Sequence, residues 1–257
     1  MAWLTCIVVF LFSAIQLVDI LQNYREAEAF YDETAGSYTE QNIQSEADPD
    51  EERLPAPITV DFTEILKIND DVIGWIYMED TVVNYPVLQG ENNYYYLDKT
   101  YWKKYLASGS IYLDSGNEAD LSDAHSIIYG HNMKNHTMFG DLDDFRDAKY
   151  LKEHPYVDLF LVDGTWLRYE IYSLYRADVD DGTFRAPLNK QVNFEPFMEL
   201  TMEKNMHRDE EELKLPQIKA GDQVLTLSTC TEDSSDTERF VVHALLMMKD
   251  GLAVKTE

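Results

Sequence analysis

Val224-Leu225-Thr226-Leu227-Ser228-Thr229-Cys230 reads as a β-strand. In an extended chain alternate residues share a face, so Val224, Thr226, Ser228 and Cys230 lie on one side and the two leucines on the other. The strand runs out into the polar loop Thr231-Glu232-Asp233-Ser234-Ser235-Asp236, and the chain resumes as a strand at Arg239-Phe240-Val241-Val242-His243-Ala244-Leu245-Leu246. Upstream, six more short apolar pieces are separated by turn residues, at 72–77, 82–87, 110–113, 126–129, 157–162 and 165–175. Asp163-Gly164 between the last two is a hairpin signal. Helices are expected over 61–68, 141–151 and 194–213. Eight short strands with inserted helices predict a mainly β fold, a closed eight-stranded β-barrel.

The 257 residues are 45% hydrophobic, enough for a packed core. Lys and Arg number 21 against 48 Asp and Glu, a formal charge of −27. Such a surface repels phosphate backbones and excludes a general nucleic-acid binder, without specifying a partner. Cys6 and Cys230 lie at opposite ends of the chain, so a disulfide framework is excluded. There is no internal repeat and no glycine-rich phosphate loop. His131 and His136 have a metal-like spacing, but no further Cys/His cluster supports it, and neither metal nor cofactor is expected.

Residues 1–18 carry no charge. As a helix they would span roughly 27 Å, close to the hydrocarbon thickness of a bilayer. Two readings are open: an uncleaved anchor over 1–21 with the rest outside the cell, which we favour, and a signal peptide cut near Ala27-Glu28-Ala29. No Lys or Arg precedes the run, so a few cytoplasmic residues are expected before Met1. Residues 22–57 hold ten acids against Arg25 and Arg53, with Pro49, Pro55 and Pro57 near the end. They read as an acidic stalk, helical over about 20–33, followed by a linker. The compact domain is expected over 58–257.

Cys230 sits where a strand opens onto a loop, which suits a nucleophile that must meet substrate. The competing reading is a small buried hydrophobe. Arg239 flanks the same loop if the two strands pair. A guanidinium there would lower the thiol pKa and stabilise an oxyanion. Pairing with Glu238 or Asp236 on the rim is the alternative. His131 follows Ser126-Ile127-Ile128-Tyr129-Gly130 and so stands at a second strand end, with Gly130 allowing a sharp turn. His243 lies mid-strand, where a core histidine is expected; His154 precedes Pro155 in a loop, and His207 falls in a charged helical stretch.

Thr226-Leu227-Ser228-Thr229-Cys230 resembles the TLxTC motif of sortases, the cell-wall transpeptidases of Gram-positive bacteria. Tyr129-Gly130-His131-Asn132-Met133, followed by Met138-Phe139-Gly140-Asp141-Leu142, resembles the class B histidine segment. Asn84-Tyr85-Pro86-Val87-Leu88-Gln89-Gly90 and Gly109-Ser110-Ile111-Tyr112-Leu113-Asp114 are also similar to class B stretches. The likeness covers roughly 58–250 and keeps its motifs in family order.

The resemblance implies a sortase barrel with N-terminal helices and a long helix before the last two strands. It implies Cys230 as nucleophile, His131 as general acid/base and Arg239 as oxyanion and substrate clamp. Ser228, Asn93 and Leu97 would border the substrate groove, with residues 177–220 forming one wall. The implied reaction cleaves a C-terminal sorting signal after a Thr, of an Asn-Pro-x-Thr type. It then joins the protein through a Cys thioester to a peptidoglycan cross-bridge amine or a pilin lysine, needing no cofactor. Three alternatives stay open at this point: a plain cysteine hydrolase of surface proteins, a Cys/His peptidoglycan transpeptidase of the L,D type, and a non-catalytic surface-binding protein.

Overall fold

The computed structural model describes residues 2–42, 53–184, 194–210, 212–230 and 237–254. Helix α1 (Ala2–Tyr38) is continuous over 37 residues. Its first half leaves Trp3, Ile7, Phe10, Phe12 and Leu17 exposed. From Ala27 onward the pattern changes: Ala27, Tyr31 and Thr34 recur at helical spacing and are buried, while Glu26, Glu28, Asp32 and Glu33 stay exposed. Part of the stretch expected to be a stalk therefore docks on the barrel, and the helix expected over 20–33 extends to Tyr38. Strand β1 (Thr39–Gln41) continues from it and pairs antiparallel with β2 (Ile58–Val60).

All eight expected strands form. They are β3 (Val72–Tyr77), β4 (Asn84–Leu88), β5 (Ile111–Leu113), β6 (His125–Tyr129), β7 (Tyr156–Leu161), β8 (Trp166–Asp178), β9 (Val224–Cys230) and β10 (Glu238–Lys249). Their order around the sheet is β10-β8-β7-β3-β4-β5-β6-β9, and β9 pairs with β10 to close the barrel. A two-residue strand, β11 (Leu252–Ala253), adds to the end of β10. Leu225 and Leu227 of β9 enter the main core with Ile76, Ile128, Val242 and Ala244. Val224, on the opposite face, joins a separate cluster with Phe194, Phe197 and Tyr172. The β7–β8 hairpin turns where expected, with Gly164 at φ +91° and the Leu161 amide donating to the Thr165 carbonyl at 2.8 Å.

The helices are shorter than their sequence patterns suggest, each for a local reason. The helix expected at 61–68 is reduced to α2 (Ile65–Ile68), because Asp61 accepts from the Thr63 amide in a turn. The stretch 141–151 divides into a 3-10 helix (Gly140–Arg146) and α3 (Ala148–Glu153). Asp147 between them is extended, and its carboxylate caps α3 at the Lys149 amide. The long helix expected over 194–213 stops as α4 (Phe194–Lys204). Asn205 ends it: its side chain accepts from the Leu174 and His207 amides and donates to the Tyr172 carbonyl, tying the chain to β8.

Candidate active site

Strands β6 and β9 run parallel as neighbours, with Tyr129 opposite Ser228 and the Gly130 amide donating to the Ser228 carbonyl at 3.1 Å. Two residues beyond that pair come His131 after β6 and Cys230 at the end of β9. Adjacent strands lie about 4.8 Å apart, so both positions fall at one end of the barrel. On the other side of β9, Cys230 is the direct antiparallel partner of Arg239 at the start of β10. Three consecutive strand ends thus bring His131, Cys230 and Arg239 together.

A cleft of about 310 Å³ opens there, lined among others by Asn93, Leu97, His131, Ser228, Thr229 and Arg239. A larger cavity, about 860 Å³, lies between residues 53–63 and the β7–β8 hairpin, and neither cysteine nor histidine lines it among the described residues. The smaller cleft, where these three strand ends meet, is therefore the candidate active site. The loop 231–236, where a backbone N–H near Thr231 is expected to help Arg239 hold the oxyanion, lies outside the described residues. So does part of the expected groove wall within 177–220, at 185–193 and 211.

His131 is held from the β4–β5 connection. Its Nε2 lies 2.7 Å from the Leu97 carbonyl oxygen. A carbonyl can only accept, so Nε2 carries hydrogen and the neutral ring keeps its lone pair on Nδ1. Gly130 before it is needed for close approach, not for the sharp turn expected of it. A Cβ there would lie 2.5 Å from Ile111 Cδ1 and 2.6 Å from Phe139 Cδ2.

Arg239 Nη1 donates to the Glu238 carbonyl at 2.8 Å. Its charge also acts on the phenol of Tyr129, which shares the cleft. Burial, reinforced by the Asp114 carboxylate, raises the Tyr129 pKa, and Arg239 opposes the shift. Tyr129 stays neutral and its O–H donates a hydrogen bond to Asp114 Oδ2 at 2.9 Å, while Asn93 Nδ2 donates to the same oxygen at 2.8 Å. Asp114 and Tyr129 stand inside the class B-like stretches, and the sequence alone assigns neither of them a part. Their signal, an acid and a phenol at two strand ends, becomes legible only once β5 and β6 pair.

Ser228 Oγ and Thr229 Oγ1 are buried and have no hydrogen-bond partner among the described residues, although both residues line the cleft. Behind β9, Thr226 Oγ1 bridges two fully buried histidines, His125 Nε2 at 2.6 Å and His243 Nδ1 at 2.7 Å. Burial, with His125 adding to it, lowers the His243 pKa well below 6.5, so His243 is the neutral core residue its mid-strand place suggests. His207 is buried too and bonds the Phe145 carbonyl at 2.9 Å, unlike the charged helical setting expected for it. Among the described residues, no three His, Cys, Asp or Glu side chains are grouped to hold a metal ion.

Residues 76–247 match the model of the Sortase domain family. Sortase B of Listeria monocytogenes is 28% identical over 244 residues, covering 94% of this chain and 93% of that protein. Among solved structures, sortase B from Bacillus anthracis in complex with AAEK2 superposes with a TM-score of 0.70 at 27% identity, over 90% of this chain and 98% of that one. The Staphylococcus aureus sortase B–substrate complex superposes with a TM-score of 0.64 at 29% identity, over 76% and 85%. The matched span runs from inside β3 to inside β10 and so includes the strand ends that meet at the cleft. The chain belongs to the sortase family, the cysteine transpeptidases of surface proteins, and within it to class B.

Proposed function

We propose that Cys230 is the nucleophile, His131 the general acid/base and Arg239 the oxyanion donor of a two-step acyl transfer. The observation that carries this is the register: Cys230 pairs with Arg239 on one side, and its strand lies beside the strand leading to His131 on the other. The Cys230 thiolate attacks the carbonyl of a Thr in the sorting signal of a surface protein. Arg239 steadies the charge that gathers on the carbonyl oxygen. His131 protonates the departing amine, leaving a thioester on Cys230. A cross-bridge amine or a pilin lysine then attacks, His131 takes its proton, and the thiolate leaves. One amide replaces another, so no energy source is needed.

Ser228, Asn93 and Leu97 bind the sorting signal in this reading. The buried hydroxyls of Ser228 and Thr229, unpartnered among the described residues, offer donors at the cleft wall. An Asn-Pro-x-Thr type signal is the favoured substrate; a substrate complex of the Staphylococcus aureus relative supports a sorting-signal substrate in general.

Residues 1–21 act as a membrane anchor that holds the catalytic domain outside the cell. The supporting observation is α1, a helix near the N-terminus long and apolar enough to cross a membrane, with a mean hydropathy of 2.0 over its most apolar window. A cut after Ala29 would fall inside the docked part of α1, just before buried Tyr31, which favours the uncleaved form.

The test is mass spectrometry of the full chain with candidate sorting peptides and triglycine. The reading predicts a peptide cut after Thr and extended by triglycine, in a reaction lost in Cys230→Ala. Cleavage with no triglycine incorporated would support the hydrolase alternative instead.

A further inference from the structure

We propose that α1 positions the active-site histidine. Tyr31 and Gly109 fix the Leu97 carbonyl, which holds the His131 ring so that Nδ1 is the atom that exchanges the proton. The proposal rests on the reading of His131 as acid/base.

The path is continuous. The Tyr31 ring packs edge-on against Phe30 and Tyr85, at centroid distances of 5.0 and 5.3 Å, and is fully inside the fold. Its hydroxyl donates to the Gly109 carbonyl at 2.5 Å and lies 3.3 Å from Ser110 Oγ. Gly109 has φ +55°, in the left-handed region, and a Cβ on it would lie 2.2 Å from the Leu97 carbonyl oxygen and 2.7 Å from that of Tyr96. Only glycine lets two backbone segments approach this closely in that conformation. The Ser110 amide donates to the Tyr96 carbonyl at 3.0 Å, and Ser110 Oγ to the Lys99 carbonyl at 2.6 Å, so the loop around Leu97 is pinned on both sides. The Leu97 carbonyl at the end of this path is the acceptor for His131 Nε2.

The chemical consequence concerns one proton. Nε2–H stays on the Leu97 carbonyl in both the neutral and the cationic ring. Nδ1–H is then the bond that breaks when the leaving amine is protonated. Nδ1 is also the site that takes the proton back from the incoming amine. Two similar tautomers would otherwise compete, and a ring turned over would present the wrong atom. Tyr31 and Gly109 touch neither substrate nor thiol; they are positioning residues. Because Tyr31 belongs to the same helix as the apolar N-terminal run, the position of the histidine is tied to the anchor segment itself.

The experiment uses the full chain in detergent micelles with 15N-labelled histidine, read by long-range 1H–15N correlation alongside transfer kinetics. The wild type should show neutral His131 as a single tautomer, with hydrogen on Nε2. Tyr31→Phe keeps the ring and removes the bond to Gly109. It should populate both tautomers and lower kcat about 2- to 10-fold, the worth of one neutral hydrogen bond, with KM unchanged. Gly109→Ala should have a larger effect of the same kind, and if it fails to fold, Tyr31→Phe decides alone. Thr34→Val is the control: its hydroxyl donates to the Phe30 carbonyl within α1 and, among the described residues, to nothing near Leu97 or His131, and both readouts should stay at wild-type values. A wild-type ring with hydrogen on Nδ1 would overturn the proposal. So would Tyr31→Phe with an unaltered tautomer and kcat. Full transfer by His131→Ala would instead overturn the underlying assignment of His131.

Discussion

Cys230 and Arg239 are direct partners in the antiparallel β9–β10 ladder, the last residue of one strand facing the second of the next. A ladder pair fixes the two backbones to within the spacing of neighbouring strands, so the guanidinium need not be recruited by a mobile loop. The planar fork of Arg suits a developing oxyanion in a way that a Lys ammonium does not. Arg239→Ala should therefore lower kcat by about 100-fold or more, the usual worth of an oxyanion donor, and Arg239→Lys should recover only part of the loss. Steady-state kinetics with a sorting peptide checks this. Equal activity in Arg239→Lys and wild type would show that charge alone matters.

Gly130 leads into His131 through a gap with no room for a methyl group. Ile111 Cδ1 and Phe139 Cδ2, both in the main core, stand where its Cβ would go. Gly130→Ala should cost about 1–3 kcal/mol by overpacking and should also displace His131. Thermal unfolding and kcat should both fall. A loss of stability with kcat intact would separate the core from the site.

Ser228 presents the opposite case, a buried hydroxyl with no partner among the described residues. Ser228→Ala removes no hydrogen bond seen in the fold, so Tm should change little. If the hydroxyl serves the sorting signal, KM should rise while stability stays. Peptide titration against the variant measures the split.

His243 makes stability depend on pH. Its folded pKa lies well below 6.5 while the unfolded chain titrates near 6.5, so the unfolded state binds the extra proton first. The contribution of His243 is fully present above pH 6.5 and is lost progressively as pH falls from there toward the folded pKa. Tm should decline from pH 7 to pH 5, and the decline should be shallower in His243→Gln. Identical slopes in the two proteins would contradict this.

The barrel was legible because its signals are local. Apolar runs and turn residues mark all eight strands, and the run 72–77 coincides with β3 residue for residue. The strand-end positions of His131 and Cys230 could be read from Gly130 and from the loop after Cys230. What could not be read were contacts that exist only after folding. The docking of α1 depends on Ala27, Tyr31 and Thr34, too few and too weakly apolar to stand out from the acids around them. The early end of α4 depends on Asn205 finding Leu174 across the fold. The Leu97 carbonyl that holds His131 is a backbone group 34 positions away, and no side-chain pattern announces it.

The most direct test of the account is the covalent intermediate itself. The full chain is mixed with an Asn-Pro-x-Thr sorting peptide without added amine, quenched in acid and digested, and the fragment bearing Cys230 is weighed. The account predicts that fragment carrying the peptide's N-terminal part up to Thr, released by hydroxylamine and absent from Cys230→Ala. Cleaved peptide with unmodified Cys230, or cleavage by Cys230→Ala, would contradict it.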